Sequence, residues 1–549
     1  MPERVLPRLV LGPILRHVGA TEATVWVETD AACAVTVRGC SSRTFQVDGK
    51  HYALVHVTGL EPETVHRYDV RLDGERRWPE PDSPLPPSVI RTLGRAGRRR
   101  IVFGSCRVVA PHRPPYSLPT GTHPKARGTD ALVALSRRLR EEQGVEWPDL
   151  LLLLGDQVYA DEVPAGTREF IRARRRVDVA HGEEVADFEE YTHLYREAWS
   201  DPAVRWLLST VPSAMIFDDH DVHDDWNTSA AWQREIKAQP WWTDRIVGAF
   251  TSYWIYQHLG NLAPDELAAD DVYAAVRSVE DGADVLRAMA LRADRDTASI
   301  RWSFRRDLGS TRLVVVDSRA GRVLDDDRRE MLDDAEWRWL DEQLRGDVEH
   351  LLIATSLPFL LPPAIHHGES WNEAVCAGRW GRRAARIGER LRRELDMEHW
   401  AAFRSSFDRL TGMITSVSNG ERGPAPATIT LLSGDIHCSY LAAVESDHPG
   451  TSRIYQAVCS PIRNELPPKF RRPLRRAWGR IASRMLRGLA RAAGVPPPGV
   501  RWQLIQGPCF RNALMTLTHE GSRAVLQLDR ADSVVSGQVR LEPEFVTDL

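Results

Sequence analysis

Leu150-Leu151-Leu152-Leu153-Leu154-Gly155-Asp156-Gln157-Val158-Tyr159-Ala160-Asp161-Glu162 is an unbroken apolar run that stops at a Gly-Asp turn. Five leucines are enough for a strand and too few for an ordinary helix. An apolar run without alternation belongs to a strand covered on both faces. The same pattern recurs along the chain. Ile101-Val102-Phe103 leads to Gly104-Ser105-Cys106-Arg107, and Ala214-Met215-Ile216-Phe217 to Asp218-Asp219-His220-Asp221. Leu313–Val316 leads to Asp317-Ser318-Arg319, Leu351–Ala354 to Thr355-Ser356, and Thr428–Leu432 to Ser433-Gly434-Asp435-Ile436-His437. Strands alternating with helical stretches predict a layered α/β domain, and ligands of such sheets gather at the carboxyl ends of the strands.

The stretch Asp218 to Trp226 is the densest of these ends, with five carboxylates and two imidazoles. Like charges this close repel, so a cation is the simplest partner, although an acidic surface turn has the same composition. Taken alone, Gly155-Asp156 also reads as a turn, Tyr159 as a core aromatic and Cys106 as a buried thiol. Asp435 and His437 lie two apart, which in extended chain points both to one side.

Outside this region, residues 1–95 predict a small all-β sandwich of fibronectin type, with strands at Ala23–Thr29, Ala34–Val37, Tyr52–Val57 and Tyr68–Leu72. A proline-rich stretch from Trp78 to Pro87 and Leu93-Gly94-Arg95 marks the expected boundary, leaving 96–549 as the second domain. The 549 residues carry 72 Lys and Arg against 76 Asp and Glu, a net charge of −4, which excludes a protein that coats nucleic acid. Hydrophobic content of 42% is that of a globular chain. Seven scattered cysteines without close pairs argue against a disulfide framework or a zinc–cysteine cluster. Met1 to Leu15 lacks the apolar core of a signal peptide, so the expected location is cytoplasmic.

Two further stretches are legible. Leu357 to Glu373 reads as an irregular loop that could line a pocket, and Glu398-His399-Trp400 as part of a packed helix. Lys469 to Arg491 holds nine basic and no acidic residues, with Leu474, Trp478, Ile481, Met485 and Leu489 at helical spacing. That is one basic amphipathic helix, packed on the domain or in peripheral contact with an anionic membrane.

Gly104-Ser105-Cys106, Gly155-Asp156-Gln157-Val158-Tyr159, Asp218-Asp219-His220-Asp221 and Ser433-Gly434-Asp435-Ile436-His437 stand in the order seen in alkaline phosphatase D (PhoD-like) proteins. The chain resembles that branch of the calcineurin-like metallophosphoesterases over roughly residues 100–460. The resemblance implies a layered metallophosphoesterase sandwich flanked by helices and hydrolysis of phosphate esters, mono- or di-, at a centre of two or more metals. It implies ferric iron on Cys106, Asp156, Tyr159 and His437. It also implies calcium on Asp219 and Asp435, with Asp156 bridging; manganese, zinc or magnesium are alternatives. His220 would meet the phosphate or the leaving group, and Arg107 would bind phosphate by the fork of its guanidinium. Asp221 and Asp224 would orient neighbours. The alternative is a metal- and phosphate-binding protein with little turnover that acts through its β-domain or basic helix.

Overall fold

The computed structural model describes residues 6–94, 97–325, 328–445, 452–533 and 538–549. Met1–Val5 of the N-terminal stretch and Arg95 of the expected boundary lie outside them. The expected strands form, most of them within two residues of the apolar runs: Ala23–Thr29, Ala34–Val37, Lys50–Val57 and Val70–Leu72 near the N-terminus. They belong to two four-stranded antiparallel sheets whose valines, Val25, Val27, Val35, Val37, Val55 and Val70 among them, fill the space between. This sandwich packs on the rest of the chain through ion pairs and hydrogen bonds. Arg196 pairs with the buried Glu28, and the Tyr68 hydroxyl donates to the Ser209 carbonyl.

The larger part is built on two sheets. In the first, Ser213–Ile216, Leu150–Leu154 and Arg99–Gly104 run parallel, then Ala513–Glu520, Arg523–Ser533 and Val539–Asp548 continue antiparallel. In the second, Thr311–Val316, His350–Thr355, Thr428–Ser433 and Arg453–Val458 run parallel within seven strands. Side chains of the second sheet divide by parity. Leu313, Val315, Leu352 and Ala354 join the core around the leucine run, whereas Val314, Val316, Leu351 and Ile353 join a separate core under the outer helices. Both faces are therefore buried, which is why these strands read as continuous apolar runs. Each buried leucine is worth roughly 1.5–3 kcal/mol, and all five of Leu150–Leu154 are at most 1% exposed.

Three expectations change. The stretch expected as a loop is largely helix α1 (Pro363–Cys376). His366, His367, Glu369 and Ser370 are all buried, so α1 shows no polar face from which to read a helix. The expected helix around Glu398 is a short turn, Trp400–Ala402, with the helix proper starting at Arg404. The basic segment is two helices, α3 (Pro468–Ala477) and α4 (Arg480–Ala492), broken at Trp478-Gly479. α4 lies against α1, as does a further basic helix, α2 (Arg382–Glu394), whose Gly388 carbonyl accepts from Asn372 of α1. Among the described residues no helix is long and apolar enough to cross a membrane.

Candidate metal centre

The strand ends turn sharply, and the backbone pays for it at the nominated residues. Cys106, Asp156, Asp435 and His437 have φ of 57°, 52°, 67° and 49°, the left-handed region that L-residues enter at a cost of about 1–2 kcal/mol. Four such residues at one edge mark a site held in shape by its surroundings. Glycines make the close approach possible. A Cβ on Gly155, at φ 99°, would lie 2.6 Å from Asp218 Cβ. One on Gly434 would run into the Ser105 side chain. The Asp435 amide donates to Ser105 Oγ at 3.0 Å, tying the two sheets together at their strand ends.

Asp156, Asp218 and Asp219 converge there, with one carboxylate oxygen from each inside a 4.8 Å cluster. All three are buried, and Asp156 Oδ1 and Asp218 Oδ2 have no hydrogen-bond partner. Burial first, and then the neighbouring carboxylates, push the Asp156 carboxyl well above its usual range despite His220. Burial does the same at Asp218, against the pull of Arg319. Asp221 Oδ2 accepts the backbone N–H groups of Asp156 and Asp218, both at 2.9 Å, and so fixes their backbones. Asp218, not singled out from the sequence, is thus a full member of the cluster.

The guanidinium in this centre belongs to Arg319. It is fully buried, pairs with Asp218, approaches Asp219 at 3.0 Å and Glu398 at 2.5 Å, and reaches towards Asp435 at 3.8 Å. Arg107 departs from its expected role. Its Nε and Nη2 bind the buried Asp130 at 3.0 and 2.9 Å, and its Nη1 donates to the Ala198 carbonyl. A guanidinium committed in this way has no free fork for a phosphate. Arg319 stands at the end of a strand whose polar terminus was visible in the sequence, but nothing there gave it a partner.

The Tyr159 hydroxyl donates to Asp156 Oδ2 at 3.4 Å and accepts from Asn464 at 3.3 Å. The Cys106 thiol is buried, accepts from Ser460 Oγ at 3.2 Å and donates to the Asp435 carbonyl at 3.4 Å. Burial, then Asp156 and Asp435, raise its pKa. Burial lowers His437 to about 4 despite Asp435, leaving a neutral imidazole at ordinary pH. Neither Cys106 nor His437 falls within the close carboxylate cluster.

His220 sits at the edge, its ring 4.5 Å from that of Tyr159. Its Nδ1 is 2.9 Å from Asp161 Oδ2, and its Nε2 lies 3.9 Å from Asp224. Burial works against both charges, but their mutual attraction wins: His220 is raised, and Asp161 is held at about 2. Asp161, His220 and Asp224 form a second group with donor atoms within 4.8 Å. On the other side His399, which the sequence assigned to packing, links Asp435 Oδ2 at 2.9 Å to Glu369 Oε1 of α1 at 2.7 Å. Its neighbour Glu398 pairs with Arg319 and Arg322.

A family profile described as PhoD-like phosphatase matches residues 133–476, and one described as a domain of unknown function (DUF7800) matches residues 6–90. No curated protein matches the chain. Among solved structures, one titled "Structure of PhoD" aligns over 100% of this chain and 91% of its own, at 13% identity and a TM-score of 0.57. The purple acid phosphatase PPD1 from yellow lupin (Lupinus luteus) seeds aligns over 98% and 73%, at 10% identity and a TM-score of 0.47.

Proposed function

Because the chain belongs to the PhoD-like phosphatase family, we propose that its strand-end cluster binds metal ions and hydrolyses phosphate esters, phosphodiesters and phosphomonoesters being the substrate classes. The observation that carries this is the convergence of Asp156, Asp218 and Asp219, with one buried oxygen of each left without a hydrogen bond. Carboxylates packed in a dry site need a cation, and an all-oxygen set suits a hard one such as calcium. Asp156, Asp219 and Asp435 are the residues that would hold calcium, with Asp218 beside them. Cys106, Asp156, Tyr159 and His437 are those that would hold ferric iron, a hard cation suited to the Asp156 carboxylate and the Tyr159 phenolate, with the His437 imidazole and the Cys106 thiolate completing the set. Bound metals supply an activated water and neutralise phosphoryl charge.

The chain's own groups then divide the remaining work. Asp161 accepts from His220 Nδ1 and thereby fixes the ring, leaving Nε2 to donate a proton towards a leaving oxygen. Arg319 offsets carboxylate charge from within the cluster. Asp221 and His399 hold the ligand-bearing residues in place.

The full-length protein, stripped with chelator and reloaded with iron and calcium, is assayed on nitrophenyl phosphomono- and diesters. Hydrolysis should appear with metal and vanish in Asp156→Asn together with metal content. His220→Ala should keep the metals and lose about a hundred- to ten-thousand-fold in turnover, less with a nitrophenol leaving group. A metal-loaded protein that cleaves no phosphate ester refutes the assignment.

A further inference from the structure

Between Glu465 and Glu520 the chain carries no acidic residue, while Lys469 to Arg491 alone contributes nine positive charges. In the fold this segment is the helix pair α3–α4. The apolar stripe that the sequence assigns to one face is divided in three dimensions. Leu474 and Trp478 turn inward onto the outer core, Trp478 against Tyr440 at 5.1 Å, and Leu486 meets Gly368 of α1. Ile481 and Met485 turn outward, 79% and 71% exposed, one helical turn apart. Phe470 on α3 is 49% exposed. The protein's own packing leaves these side chains in water.

Around them the charge is unopposed. Arg471 pairs with Glu465, but among the described residues no arginine from Arg472 to Arg491 has a carboxylate within 4.0 Å. Arg472, Arg476, Arg480 and Arg484 are exposed. The flanking α2 repeats the arrangement, with Ile387 67% exposed among exposed Arg383, Arg386 and Arg390. α2 and α4 lie against the same helix, and the Trp380 indole, just ahead of α2, donates to the Ala492 carbonyl at the end of α4 at 3.5 Å.

We propose that this helical face is a docking surface for an anionic lipid bilayer. Arginines answer the phosphate and carboxylate of the headgroups, each contributing about 1 kcal/mol near such a surface, and the protruding Ile481, Met485 and Phe470 enter the acyl boundary. A nucleic acid would use the arginines and leave the apolar side chains in water. A bilayer uses both, and that is what selects it here. None of these residues touches the carboxylate cluster, so the surface stands apart from the hydrolytic reading. α4 packs on α1, whose Glu369 binds His399, the partner of Asp435.

The test is sedimentation of the full-length protein with vesicles of phosphatidylcholine alone and of phosphatidylcholine mixed equally with phosphatidylserine. Binding should require phosphatidylserine. Replacing Arg476, Arg480 and Arg484 together by Gln should weaken it roughly a hundredfold, about fivefold per charge. Ile481→Ser with Met485→Ser should weaken it too and make the remainder more sensitive to salt, with the thermal midpoint unchanged in both variants. The proposal falls if neutral and mixed vesicles bind alike, if neither binds, or if the arginine variant binds as the parent does. Tight binding of a single-stranded oligonucleotide that Ile481→Ser and Met485→Ser leave untouched, with no vesicle binding, would give the surface to nucleic acid instead.

Discussion

Gly155→Ala tests whether the strand-end turns hold the centre in shape. Two costs come from the geometry. At φ 99° the new residue is forced into a region that L-residues disfavour by roughly 1–2 kcal/mol. Its Cβ also arrives 2.6 Å from Asp218 Cβ. Ordinary contact needs about 1 Å more, and overpacking a buried site adds about 1–3 kcal/mol. The expected loss is therefore about 2–5 kcal/mol in denaturant unfolding. The atoms that must move belong to Asp156 and Asp218, and a displacement near 1 Å costs on the order of a hundredfold in rate. Gly74→Ala is the control, since Gly74 has φ 89° with nothing within 4 Å of its Cβ position. It should lose only the conformational part and keep activity. The reasoning is refuted if Gly155→Ala is no less stable than Gly74→Ala, or if it retains full metal content and turnover.

Other substitutions separate structural from chemical roles. Arg107→Met should destabilise by about 3–5 kcal/mol, because it leaves the buried Asp130 without its main partner. A pure rise in KM with unchanged stability would restore Arg107 as a phosphate ligand. His399→Phe should lower metal affinity about 10- to 100-fold by releasing Asp435, with partial recovery in His399→Gln; equal metal content in all three proteins would show that Asp435 needs no support. Burial holds His258 and His519 at about 3, the former also repelled by Arg301 and the latter by His350. The unfolded chain takes up protons at these residues near pH 6.5 and the folded chain does not, so stability falls as pH drops from 6.5 towards 3. Together they should contribute about 3 kcal/mol per pH unit in that window. Unfolding midpoints of His258→Phe against pH should show a shallower acid limb, and an unchanged slope would mean that this imidazole is not held neutral.

Much of the scaffold could be read in one dimension, since a strand buried on both faces must be apolar at every position. Leu150–Leu154 and Leu313–Val316 announced themselves in this way, and so did the polar residues at which they stop. Which of those polar residues meet was not legible. Asp218 and Asp219 are adjacent in sequence, but Arg319 comes from another sheet, and only the stacking of the two sheets brings it among them. Glu369 carried no signal, because α1 is covered on nearly all sides and its polar residues mimic a loop, and nothing in the sequence tied His399 to it or to Asp435. Nor could the helical spacing of Leu474, Trp478, Ile481 and Met485 reveal that the chain breaks at Gly479 and turns half of that stripe outward. Periodicity records which residues share a face of a continuous helix. Whether that face looks at the core or at water depends on where the helix is docked, and contacts distant in sequence decide that.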